Sequence, residues 1–121
     1  MSWSVSVVNK KGECLRLKEK QTEGGTICVG GSQAASFDVT YNYSWYYYSV
    51  IDEEKGLKIF NGMAVEDSFP ILEKAIEPFK ECLPYEKDYW ANTPGNCVEA
   101  LRVMLRWAVE LKGKGGRWEV C

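Results

Sequence analysis

The chain has 121 residues, of which 45% are apolar and 26% charged, with a net charge of −2 and a pI near 5.3. That length suits a single domain spanning 1–121 with its own core, and the acidic balance disfavours a general nucleic-acid binder while leaving a local basic surface open. No apolar run approaches the roughly 18–20 residues of a membrane span, and the first residues lack the basic segment and long apolar stretch of a signal peptide.

Ser2 to Val8 alternate, with Trp3, Val5 and Val7 on one side and serines on the other, the pattern of a half-buried strand. Asn9-Lys10-Lys11-Gly12 signals a turn. Cys14, Leu15 and Leu17 lead into a second strand with Arg16, Lys18 and Lys20 facing solvent, so the expectation is a hairpin. Thr22-Glu23-Gly24-Gly25 is a second turn, Thr26 to Val29 a short third strand, and Ser32 to Ser36 a loop. Phe37, Val39, Tyr41 and Tyr43 then alternate with polar residues, which predicts a strand through Tyr43.

The stretch V-T-Y-N-Y-S-W-Y-Y-Y-S-V at 39–50 holds five tyrosines and a tryptophan. Its pattern changes at Ser44, a good N-cap. Trp45, Tyr48 and Ile51 follow three apart, and Gly56 is a good stop. A short helix over 45–54 is expected, with some rings facing the core and others left outside. Leu57 to Gly62 reads as a connector. Val65, Phe69, Leu72, Ile76, Phe79 and Leu83 mark one helical face, with Asp67 as N-cap and either a kink at Pro78 or an end near Glu77. Residues 84–96 form a loop. Cys97, Leu101, Met104, Leu105, Ala108 and Leu111 define a second long helix, closed by Gly113, Gly115 and Gly116. Arg117 to Cys121 suits a last strand. Strands followed by helices predict an α+β fold: an antiparallel N-terminal sheet packed on two long helices and one short one.

Histidine is absent. This removes Ser-His-Asp and Cys-His catalysis and His-ligated metals, so the balance leans away from an enzyme. The five cysteines include no C-x-x-C pair; no zinc ribbon is expected, and all five are expected to be free thiols. No metal or cofactor is expected.

Two segments carry candidate binding chemistry. In T-Y-N-Y-S-W, the side chains of Tyr41, Asn42, Tyr43 and Trp45 offer rings and one amide. In Y-W-A-N-T-P-G-N, Trp90 precedes a helix start at which Thr93 or Asn96 is a cap and Pro94 sits near the first position. Free N–H groups there, around Gly95 and Asn96, would suit an anion. Arg102 and Arg106 add positive charge nearby or form a solvated face. Rings beside an anion site are what a nucleotide-like ligand needs, although the P-loop pattern is missing.

D-V-T-Y-N-Y-S at 38–44, F-N-G-M at 60–63, F-P-I-L-E-K-A-I at 69–76 and Y-W-A-N-T-P-G-N at 89–96 together resemble a group of small phage and prophage proteins. These share a T-Y-N segment, a helix with an L-x-x-A-I pattern and a P-G-N loop opening a final helix. The resemblance covers roughly 36–112 and implies a phage origin, hence a host-takeover or anti-defence role in the host cytoplasm; it implies no particular chemistry. The function expected first is non-enzymatic capture of a nucleotide-derived immune signal. The alternatives are an anti-CRISPR-like inhibitor that binds a host defence protein, and a nucleotide-processing enzyme using carboxylates or Tyr. Self-association is left open.

Overall fold

The computed structural model describes residues 2–21, 31–84, 88 and 91–121. Among these residues five strands and three α-helices follow in chain order: β1 (Ser2–Val8), β2 (Arg16–Gln21), β3 (Ser32–Ala34), β4 (Ser36–Thr40), α1 (Ser44–Val50), α2 (Val65–Ile76), α3 (Pro94–Leu111) and β5 (Arg117–Val120). The fold is α+β, as the order of elements implied.

β1 is the central strand of an antiparallel sheet ordered β4-β1-β5. Its register pairs Ser2 with Thr40 and Ser6 with Ser36 on one side, and Val5 with Val120 and Val8 with Arg117 on the other. β4 covers β1 only as far as Ser6; past it the chain turns back, Val8 bridges Cys14 and the Val7 carbonyl accepts the Leu15 N–H, so the expected hairpin is confined to this short end and β2 itself does not pair with β1. β2 pairs instead with β3, inside the segment expected to be a loop. Polar side chains conceal β3 in the sequence. Gln33 accepts a bond from Arg16 Nη2 at 2.7 Å and donates to the Leu17 and Lys18 carbonyls, so a residue that reads as loop in fact clasps two strands. The strand expected at 26–29 lies outside the described residues.

β4 stops at Thr40, three residues short of expectation. The Thr40 side chain accepts the Asn42 N–H, and Tyr41–Tyr43 turn into a 3-10 helix that runs straight into α1. A β-branched hydroxyl residue thus caps a helix where alternation alone would continue a strand. α1 ends at Val50 rather than 54, because the Asp52 carboxylate takes the Glu54 and Lys55 N–H groups and closes a turn. Gly56, at φ +54°, then opens a 3-10 helix, Gly56–Phe60, that buries Leu57 and Phe60.

α2 begins at Val65 with Ala64 as N-cap, not Asp67. The Val65 N–H, one of the orphan donors of a helix start, is taken by the Gly116 carbonyl, so the loop before β5 does the capping. Pro70 therefore lies inside the helix, on its exposed side, where water can serve the carbonyl its missing N–H leaves. α2 ends at Ile76, and Pro78 sits in a separate 3-10 turn, Glu77–Phe79, one of the two outcomes its position allowed. α3 is the central helix of the core. Trp107 packs edge-on against Phe37 of β4 at 4.9 Å, while Leu101, Met104, Ala108 and Leu111 are buried. Ile76 and Leu105, expected inside with them, are only half-buried, because they border a groove between α2 and α3.

Candidate functional site

The aromatic stretch straddles the junction of β4 and α1, and the structure divides its rings in two. Tyr43, Tyr46 and Tyr47 are buried. The Tyr46 hydroxyl donates to the Ala75 carbonyl of α2 at 3.0 Å, and the Tyr47 hydroxyl to the Cys97 carbonyl of α3 at 3.1 Å. These rings are struts that join α1 to both long helices, and each buried hydroxyl has the partner it needs.

The other group faces outward. Tyr41 is 39% exposed, Trp45 44% and Tyr48 41%. They stand four and three residues apart along a continuous helical path, so they share one face. Tyr41 is braced edge-on against Trp3 at 4.8 Å, and Trp45 against Tyr46 at 5.7 Å. Tyr48 lies against Gly56, where an added Cβ would meet its ring at 3.5 Å. Trp45, Tyr48 and Ile51 share one helical spacing, yet the core takes Tyr43, Tyr46 and Tyr47. The stretch holds two faces of helical spacing, and only the packing chooses between them. Tyr48 was missed as a surface residue for this reason; its spacing from Trp45 and Tyr41 was the available signal.

Asn42 is exposed, next to this face. Beyond the aromatic row runs the turn Asp52-Glu53-Glu54-Lys55, three carboxylates against one ammonium. Glu53 and Glu54 are exposed.

The T-P-G-N segment is a well-made helix start. Thr93 is the N-cap, with its hydroxyl accepting the Asn96 N–H at 3.2 Å, and Pro94 is the first helical residue. The Cys97 N–H reaches the Thr93 carbonyl. Asn96 is buried, and its amide donates to the Asp88 and Ala91 carbonyls at 2.8 and 3.0 Å. Gly95 lies directly against the Leu83 backbone, where a Cβ would fall 1.9 Å from the carbonyl oxygen. Thr93, Gly95 and Asn96 are thus committed to closing the preceding loop onto α3. Trp90 lies outside the described residues.

Arg102 is also committed. Its guanidinium donates to the Phe79, Lys80 and Cys82 carbonyls and pairs with Glu99 at 3.2 Å. It closes the end of the α2 arm, where a cation suits the clustered carbonyls. Arg106 points outward and meets Glu99 at 3.5 Å.

Burial pushes the Cys97 thiol up to about 12. It also pushes the Tyr46 phenol up to about 12, with Cys97 and Cys82 adding to the rise and Arg102 opposing it. Both groups stay protonated at neutral pH and are poor nucleophiles or bases. Among the described residues no cluster of Cys, Asp and Glu side chains could hold a metal ion, and no helix is long and apolar enough to cross a membrane. No family model, curated protein or solved structure matches this chain.

Proposed function

We propose that this chain is a non-enzymatic binding protein that docks on another protein through the Tyr41–Trp45–Tyr48 face, in keeping with a phage inhibitor of a host defence component. The observation that carries the reading is the outward set of three large rings on a short helix that its own neighbours hold rigid. Exposed Tyr and Trp are the residue types that dominate interface hot spots, and pre-ordered rings lose little entropy on binding. The adjoining carboxylates of Glu53 and Glu54 favour a basic partner surface, whose Arg or Lys side chains would pair with them and lie over Trp45.

Capture of a nucleotide-derived signal, the first expectation from the sequence, has less support. Tyr43, Thr93, Gly95, Asn96 and Arg102 are engaged in holding the fold. A ligand would rely on Tyr41, Asn42, Trp45 and Arg106, together with residues outside the described set. The test compares the parent chain with Trp45→Ala/Tyr48→Ala. Host defence proteins are assayed for capture and inhibition, and the purified chain for mass adducts with cyclic nucleotides and ADP-ribose. The expected result is loss of capture by at least about tenfold, or roughly 1.4 kcal/mol, at unchanged melting temperature and without an adduct. A stoichiometric nucleotide adduct, or inhibition that survives the double substitution, would overturn the reading.

A further inference from the structure

A second surface lies at the far end of the sheet. There the turn after β1 and the turn before β5 stand side by side. The first, Asn9 to Glu13, is pinned by the Asn9 side chain, whose oxygen accepts the Lys11 and Glu13 N–H groups at 2.8 and 3.1 Å. Gly12 completes it at φ +81°. The second, 112–116, leaves α3 through Gly113 and Gly115, both at positive φ. Gly116 lets the turns approach: a Cβ there would fall 2.8 Å from Val7 Cγ1 and 2.9 Å from Leu15 Cδ1. Between the turns runs an open groove of about 310 Å³, lined by Asn9, Lys10, Lys11, Glu13, Lys114 and Gly115.

The charge here is predominantly positive. Lys10, Lys11, Lys112 and Lys114 are all exposed, and among the described residues none is within ion-pairing distance of a carboxylate. Glu13 also lines the groove, and Glu66 is turned onto the Gly113 N–H at 2.6 Å. Cations at the end of α3 are accounted for by the helix dipole. Lys10 and Lys11 belong to a different element, and that account does not reach them. A chain of net charge −2 thus gathers four lysines across two turns, a local positive field that draws anions to this end.

We propose that this two-turn groove binds the phosphate backbone of nucleic acid. Lysine ammonium groups are point charges that suit phosphate without reading bases. An open groove, with ammonium groups on two rims, fits a passing strand better than it fits an enclosed small molecule. The acidic remainder of the chain keeps the binding local and modest.

The test is fluorescence anisotropy with a labelled mixed-sequence duplex between about 50 and 200 mM salt. If Lys10, Lys11 and Lys114 each neutralise one phosphate, the slope of log affinity against log salt is about −2.7, so affinity falls about 40-fold over that range. Lys10→Glu/Lys114→Glu should weaken binding at least about tenfold at the lower salt and flatten the slope to about −0.9. Lys55→Glu/Lys74→Glu changes net charge equally at exposed sites elsewhere and should alter it little. Equal weakening by both pairs, or no binding at the lower salt, would overturn the proposal. Tighter binding of inorganic tripolyphosphate than of the duplex would overturn the nucleic-acid assignment in favour of a small polyphosphate.

Discussion

Gly95→Ala sets two effects of opposite sign against each other at one atom. By helix propensity the change is favourable by up to about 1 kcal/mol, since alanine is the best helix former and glycine among the worst. The packing says otherwise. The new Cβ would lie 1.9 Å from the Leu83 carbonyl oxygen, 2.7 Å from its carbon and 3.3 Å from the Pro84 nitrogen, where carbon contacts are at their best near 3.5–4 Å. The obstacle is backbone, so no rotamer relieves it; the 82–84 segment must move off the start of α3. Moving it drags the Cys82 carbonyl from Arg102, a charge-assisted bond of 2.9 Å. Overpacking of this kind costs about 1–3 kcal/mol. Net of the propensity gain, Gly95→Ala should lower stability by about 1–2 kcal/mol, or roughly 3–10 °C in melting temperature. Urea denaturation with an unchanged slope reads this directly. Gly116→Ala meets only side-chain ends at 2.8 and 2.9 Å and should cost less. Stability of Gly95→Ala equal to or above that of the parent would refute the close approach.

Three further outcomes follow from burial. Leu101→Ala, at a fully buried site, should cost about 2–5 kcal/mol, whereas Leu105→Ala, at the half-buried groove, should cost about 1–2; denaturant midpoints that rank them the other way would contradict the placement of α3. Thiol titration of the unfolded, unreduced chain should count five free thiols, Cys28 lying outside the described residues; in the folded chain exposed Cys14 and Cys121 should react promptly and buried Cys97 last. Stability should fall as pH rises from about 9 to about 12: the unfolded chain releases its Cys and Tyr protons at the ordinary values of 9.0 and 10.0, while folded Cys97 and Tyr46 hold theirs to about 12. Their contribution is therefore complete below pH 9 and lost above it, and Cys97→Ala should shrink the alkaline loss measured by denaturation across that range.

The elements with one strong period were legible: β1, α2, α3 and β5 fall where the apolar spacing put them, within a few residues at each end. What the sequence concealed has identifiable physical causes. The partner of β2 was hidden because β3 is built from Ser, Gln and Ala, whose contribution is cross-strand hydrogen bonding rather than apolar alternation. The end of β4 was hidden because the Thr40 side chain, not a glycine or proline, ends the strand. At the candidate site the helix start at Thr93 was legible as a cap, since Thr-Pro is a chemical signal. Its coverage was not, because Leu83 is nearby in space only after α2 and its 3-10 turn have docked. Arg102 shows the same limit: its spacing from Glu99 is visible in sequence, and the three carbonyls it serves are not.

The geometry of β1 makes the two proposed surfaces separable. Its first residue pairs with Thr40, just before Tyr41 and the aromatic face, and its last leads into Asn9 and the lysine groove. Seven residues at about 3.3 Å each put roughly 20 Å between the two ends, well past the range in which substitutions usually couple and about two and a half times the screening length of physiological salt. Trp45→Ala and Lys10→Glu/Lys114→Glu should therefore act independently: the first removing protein capture and leaving the salt-dependent binding of a duplex, the second doing the reverse. If one host target engages both ends together, as a basic protein holding nucleic acid would, the losses still add in free energy to within about 0.5 kcal/mol. A loss of both activities from either substitution alone would mean that the rigid strand is not what lies between them.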